Sequence, residues 1–239
     1  MVWTRPPSPP IPTVWHTFKA KDVDSDRLVT YRVQDLTEDR YEDMIQHFLN
    51  HFIEEEPCSV SKGTSKNATL REATIQLWRK GLEEKMTLVC YREGSDEIVG
   101  ANILLVKSLD EDYDGDTLPY DEQGDLRAIL EYVSNQFDVF KHYGVDHRMI
   151  AYGLTVNKRY RGRGIATEII KARVPMCKAL GIKLAAHPFS AIGSQRAAIN
   201  AGYRTDYEIT YDELAAMGPK YALPGVQSKS FKLMSYSME

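Results

Sequence analysis

Residues 149–167 read MIAYGLTVNKRYRGRGIAT, and the rest of the chain arranges itself around this stretch. Met149 to Val156 is apolar and rich in β-branched residues, the composition of a strand. Asn157 and Lys158 then lead into Arg159, Arg161 and Arg163, three arginines within five residues, interleaved with Gly162 and Gly164. Ile165 and Ala166 open an apolar-periodic segment that reads as a helix as far as Leu180. A strand, a basic glycine loop and a helix in that order form a device for holding an anion. Glycine has no Cβ, so backbone N–H groups can approach a phosphate closely. The helix adds its positive end, and arginine adds charge and a fork of donors. No Lys-Ser or Lys-Thr follows the second glycine, so this is not a Walker loop. Thr167 stands where the dinucleotide fingerprint needs its third glycine.

Working outward, the pattern alternates between strands and helices. Leu28 to Val33 reads as a strand. Thr37 is a candidate N-cap for a helix carrying Tyr41, Met44, Ile45, Phe48, Leu49 and Phe52, which the run Glu54-Glu55-Glu56-Pro57 ends. Thr69 and Glu72 form a candidate capping box for a helix running to about Glu84. Met86 to Tyr91 and Glu97 to Val106 read as a hairpin, and Leu126 to Phe140 as a helix. After the central stretch come a strand at Lys183 to Ala186, a helix at Ser194 to Ala201 and strands at Tyr203 to Ile209 and Phe231 to Met234. Val174-Pro175 predicts a kink or an early end in the helix after the loop. The order specifies one mixed α/β domain over residues 25–239. Residues 1–24 read as a mobile tail, because five prolines between Met1 and Pro12 prevent regular backbone pairing.

Composition narrows the function. Over 239 residues, 43% hydrophobic and 27% charged, the net charge is −4, which does not favour nucleic acid or an anionic membrane as partner. No apolar run approaches the roughly 18 residues of a spanning helix, and the N-terminus has no apolar core of a secretory signal. Cys58, Cys90 and Cys177 lie far apart, which predicts a cytoplasmic chain without disulfides or zinc ribbons. The six histidines show no ligand spacing, so no metal is expected. Asp110, Asp112, Asp114, Gly115 and Asp121 approach a calcium loop. The preceding strand and the Asp in place of a closing Glu argue instead for an acidic loop that attracts cations.

The loop Arg159 to Ala166 resembles the Arg/Gln-x-x-Gly-x-Gly/Ala element of the GCN5-related N-acetyltransferases. That resemblance implies their mostly antiparallel mixed sheet flanked by helices, with acetyl-coenzyme A as co-substrate. It also implies pyrophosphate binding by Arg159, Arg161, Gly162, Arg163, Gly164, Ile165 and Ala166, with Leu154, Thr155 and Val156 along the pantetheine arm. A closer resemblance is to the insect arylalkylamine N-acetyltransferases, over Tyr31 through Glu55-Glu56-Pro57 and over Ser190-Ala191-Ile192-Gly193-Ser194 ahead of Gly202-Tyr203. It implies Glu56 as general base, Ser190 and Ser194 as active-site hydroxyls, and direct attack of a small amine through a tetrahedral intermediate, in a monomer. Ile199 departs from the tyrosine acid of many acetyltransferases and leaves the proton donor open. The residues themselves supply a reason for Glu56. Carboxylates crowded at a helix C-terminus oppose the dipole and are raised toward neutral pH, which suits a base. Aliphatic amines such as agmatine or a polyamine remain alternative substrates, and a non-catalytic acyl-coenzyme A sensor remains an alternative function.

Overall fold

The computed structural model describes residues 3–110 and 126–239. Among them, eight strands form one sheet: β1 Val14–Lys21, β2 Leu28–Asp35, β3 Leu88–Arg92, β4 Ile98–Ser108, β5 His147–Val156, β6 Leu184–Phe189, β7 Arg204–Thr210 and β8 Ser230–Ser237. The helices are α1 Tyr41–His51, α2 Pro57–Ser61, α3 Ala68–Glu83, α4 Leu126–Asn135, α5 Val139–Tyr143, α6 Ile165–Ala179, α7 Ile192–Asn200 and α8 Tyr211–Ala216. The strand order is β1-β2-β3-β4-β5-β6-β8-β7, and every neighbouring pair is antiparallel except β5 and β6. One face of the sheet is covered by α6 through Ile169, Ile170 and Met176, packed with Tyr31, Val33 and Cys90. Phe48 of α1 and Trp78 of α3 cover the other face around Ile103.

The centre of the sheet opens at β5. Ile103 pairs with Gly153 but Leu104 pairs with Ala151, so Tyr152 is an extra residue on β5, a bulge. A bulge bends its strand and disturbs pairing. β5 keeps one parallel pair with β6, Met149 with Ala185, and the two strands then diverge. Gly153 is required here twice over. Its φ is 154°, and a Cβ at this position would lie 2.6 Å from Phe48 Cε1.

Several local expectations are overturned. Val14 to Lys21, assigned by sequence to the mobile tail, is an edge strand paired along β2. The reason lies in Asp35, which is fully buried and accepts from Arg5, Trp15 and the Thr13 amide. The run of glutamates does not end α1, whose last residue is His51. Glu56 is instead the N-cap of α2, with Pro57 at the first helical position, where a missing N–H costs nothing. Its carboxylate therefore sits at a positive helix end and not at the crowded helix C-terminus expected from sequence. Asn67 rather than Thr69 caps α3, accepting from the Leu70 amide. The stretch from Leu126 to Phe140 is two helices, because Asp138 caps a new one at the Lys141 amide. α6 continues through Pro175 to Ala179, since Ala172, Arg173, Met176 and Cys177 are buried on both sides of the ring. The Thr210–Glu213 capping box starts α8, an element the sequence reading passed over. The acidic stretch beyond Asp110 lies outside the described residues.

His47, buried in α1, has its imidazole pushed down to about 3 by burial, with His51 and Arg161 adding to the shift. The folded state therefore binds fewer protons than the unfolded state between about pH 3 and pH 6.5, and stability falls as pH drops through that window. The slope from this residue is at most about 1.4 kcal/mol per pH unit. Denaturant titrations should show a flatter pH dependence in His47→Leu than in the parent over this range. Parallel curves would mean that His47 titrates normally in the fold.

Candidate active site

A cleft of about 610 Å³ enters the gap between β5 and β6. Its floor includes Leu154, Thr155 and Val156 of β5. Phe52, Trp78, Leu77, Leu70 and Phe231 give it apolar walls. One end meets the basic loop at Arg161, Gly162, Gly164, Ile165 and Ala166, and the other reaches Glu56, Ser190 and Ser194. Folding thus brings three segments of sequence, around residues 56, 160 and 190, to one opening.

The loop is built for an anion. Gly162 and Gly164 have φ of 76° and 77°, a region where L side chains are strained, and the space a Cβ would occupy at each is open for 4 Å. Gly164 is also the N-cap of α6, so the first amides of that helix are free to point outward. Arg161 is held in place: Nε donates to the Val156 carbonyl at 2.9 Å, and Nη1 meets Glu55 at 2.5 Å. Lys158 reaches the same carboxylate at 2.8 Å. Burial pushes the Glu55 carboxyl up, but these two cations outweigh it and hold the group below the usual carboxylate range. Arg163 turns elsewhere, donating to the carbonyls of Asp22, Val23, Arg159 and Arg161, and staples the loop to the β1–β2 turn. Arg159 faces Asp24 at 3.7 Å. Of the three arginines named from sequence, Arg161 alone lines the cleft. The site fits a ligand with a phosphate at the loop and a long arm along β5. Gly164→Val should leave the circular dichroism intact and weaken acetyl-coenzyme A binding about tenfold or more, measured by calorimetry. Unchanged affinity in the folded variant would put the phosphates elsewhere.

At the other end, Glu56 uses both oxygens. Oε1 accepts from Ser190 Oγ at 2.6 Å, while Oε2 accepts from the Ser59 amide at 2.7 Å and Ser59 Oγ at 3.0 Å. Tyr211 donates to the Ser190 carbonyl at 2.8 Å and so fixes the backbone behind that hydroxyl. Ser194 lines the cleft but donates to the Ala191 carbonyl, not to Glu56. Sequence reasoning missed Ser59, three residues past the carboxylate. Its capping contact could have been suspected from Pro57 as a helix start. Cys58 and His187 also line the cleft. Burial, with Glu56 beside it, pushes the Cys58 thiol up, so it is no nucleophile. Burial pushes His187 well below its usual range, with Arg173 and Arg148 adding to the shift, so it is neutral. No group of three metal-ligating side chains occurs among the described residues.

Scans against protein-family models and curated proteins give no match. Solved structures do match. The whole chain superposes on the whole of a yellow fever mosquito (Aedes aegypti) protein named arylalkylamine N-acetyltransferase 7, with TM-score 0.93 and 44% identity. Arylalkylamine N-acetyltransferase 2 of the same mosquito matches over 87% of this chain and 99% of its own, with TM-score 0.76 and 20% identity. A Drosophila melanogaster polyamine N-acetyltransferase that forms N-acetylagmatine covers the same shares, with TM-score 0.71 and 19% identity. The last two share the fold. The split sheet and its glycine loop thus define an acetyl-coenzyme A-dependent N-acetyltransferase of the GCN5-related fold, acting on an amine. Within that class, the chain belongs to the insect arylalkylamine N-acetyltransferase family.

Proposed function

We propose that the amine is an arylalkylamine of the tyramine, dopamine or serotonin type, and that Glu56 is the general base. The observation that carries the substrate reading is the balance of charge in the acceptor end of the cleft. Among the described residues two carboxylates line it, Glu55 and Glu56, and Glu55 is already engaged by Lys158 and Arg161. One carboxylate is left for one ammonium. Phe52 and Trp78, whose rings lie edge-on at 5.9 Å, offer an aromatic surface to the rest of the molecule.

The chemistry follows from the two ends of the cleft. Arg161 and the amides around Gly162 and Gly164 hold the pyrophosphate, and β5 from Leu154 to Val156 lies along the pantetheine arm as a strand would. The ammonium of the substrate has no lone pair, so Glu56 takes its proton, directly or through water. The free amine attacks the thioester carbon, a backbone N–H of the gap stabilises the oxyanion, and as the C–S bond breaks the proton lost from the nitrogen passes to the departing sulfur, giving the amide and coenzyme A thiol. Ser190, hydrogen-bonded to Glu56, aligns the carboxylate and orients the amine, and Ser194 supplies a hydroxyl farther along the same wall. Arg159 and Arg163 support the loop. The chain needs no metal in this scheme and works as a cytoplasmic monomer.

A thiol-release assay across tyramine, dopamine, serotonin, agmatine and spermidine tests the reading. We expect kcat/KM for the aromatic monoamines to exceed that for the di- and polyamines by at least about tenfold. A preference for agmatine or spermidine would overturn the substrate assignment.

A further inference from the structure

Among the largest fully buried side chains, Arg173 is the charged one, and the scheme above does not use it. It lies in the middle of α6, fully buried, and no carboxylate among the described residues pairs with it. Its Nε donates to Asn102 Oδ1 at 2.9 Å, its Nη1 donates to the Tyr203 hydroxyl at 3.2 Å, and its Nη2 has no hydrogen-bond partner among the described residues. A buried cation without a counter-ion is an expensive way to fill a core. Its neighbours give it a purpose. Asn102 lies on β4 and passes the contact on: its Nδ2 donates to the Gly153 carbonyl at 2.7 Å. Gly153 is on the bulged stretch where β5 leaves β6.

The carbonyl of Gly153 and the N–H of Leu154 belong to one peptide unit, and that unit is trans. In a trans peptide the two groups point in opposite directions. With its oxygen turned toward Asn102 on β4, the peptide turns the Leu154 N–H to the other side of β5, where pairing with β6 has ended. Leu154 lines the cleft there. A hydrogen bond from a charge-backed donor to the carbonyl polarises the whole amide and makes its N–H a stronger donor. We propose that Arg173, acting through Asn102, is a positioning residue that fixes and polarises the Gly153–Leu154 peptide so that the Leu154 N–H stabilises the thioester oxyanion. This rests on the acetyl-transfer reading given above, and in particular on an oxyanion donor in the β5–β6 gap.

The probe is acetonyldethio-coenzyme A, the ketone in which methylene replaces the thioester sulfur, 13C-labelled at the carbonyl. Bound to the parent protein, its carbonyl resonance should move downfield from the value in water, because a donor polarises it. In Arg173→Met and in Asn102→Leu most of that displacement should disappear while the ligand still binds. Single-turnover acetylation should slow about tenfold in each variant, with acetyl-coenzyme A KM little changed. Because the two side chains act in series, the double variant should be no more than about twofold slower than Asn102→Leu. Arg173→Met removes a buried charge that has no counter-ion among the described residues, with little change in volume, and this offsets the donor that Asn102 Oδ1 loses, so its melting temperature should change little. A purely structural Arg173 would instead lower the melting temperature and leave the resonance in place. Should Asn102→Leu fail to fold, Arg173→Met and Arg173→Lys carry the test, the lysine restoring part of the displacement. A parent protein with no downfield displacement would defeat the oxyanion reading and this proposal together. A displacement that persists in Arg173→Met would defeat this proposal alone, as would losses that multiply in the double variant.

Discussion

Glu56→Ala should lower kcat by two to four decades while acetyl-coenzyme A binds as before. The range is what a positioned general base contributes, and the separation of effects follows from the site. Glu56 caps α2 and touches Ser190 and Ser59, whereas the phosphate loop is held by Glu55, Val156 and the β1–β2 turn. Once pH exceeds the pKa of the amine, the substrate arrives deprotonated and the deficit should shrink, so a rate profile across alkaline pH distinguishes a lost base from a collapsed site. Glu56→Gln serves as a second variant, since it keeps an acceptor for the Ser59 amide and preserves the start of α2. The neighbouring glutamates should behave differently from each other. Glu54 is exposed, and its alanine variant should be neutral. Glu55→Ala should leave kcat within about threefold and act on acetyl-coenzyme A KM, because it releases Arg161 and Lys158. Equal losses of kcat at Glu55 and Glu56 would sink the assignment of the base.

The largest loss of stability should come from a residue far from the chemistry. Asp35→Ala is expected to cost about 3–5 kcal/mol, the usual effect of breaking a buried ion pair. Scaled to a chain of this length, that lowers the melting temperature by about 6–20 °C. Asp35 accepts from Arg5 through both oxygens at 2.8 and 3.0 Å, from Trp15 Nε1 at 2.9 Å and from the Thr13 amide at 2.9 Å. Arg5 also donates to the Lys85 carbonyl. Removing the carboxylate leaves a nearly buried guanidinium with no counter-ion and the Lys85 carbonyl alone to accept from it, and leaves an indole N–H and an amide without an acceptor. Asp26→Ala, which loses an ion pair to Lys21 that water surrounds on both sides, is the control and should shift nothing measurable. Calorimetric scans of Asp35→Ala and of a chain lacking residues 1–12 should show similar drops. Unchanged melting in both would restore the picture of a loose tail.

The sequence by itself determined the parts whose signals are local. A β-branched run, a loop of glycines among arginines and a 3.6-residue apolar period depend on neighbours within about one turn, so β5, the loop and α6 were legible from residues 149–180 alone. The fold class followed from the order of such segments. The sequence also named Glu56, Ser190 and Ser194, through resemblance rather than through chemistry. The physical reason offered for Glu56, a crowded helix C-terminus, failed because Pro57 begins α2 instead of ending α1. Proline is compatible with both positions, and only the path of the backbone decides between them.

Tertiary structure decided whatever depends on partners distant in sequence. Arg163, in the same motif as Arg161, donates two of its bonds to carbonyls some 140 residues away, and no local pattern could separate the two roles. The proline-rich N-terminus looked free because its prolines cannot pair, yet Arg5 carries it to an acceptor 30 residues on, at the end of β2. The contact of Ser190 with Glu56 spans 134 residues. Arg173 and Asn102 carried no signal in one dimension. Their meaning comes from a bulge that opens the sheet at β5 and from a peptide that faces a buried charge on one side and the cleft on the other. Short-range sterics and periodicity write elements into sequence, while burial and long-range hydrogen bonds assign a side chain its task only after the chain has closed on itself.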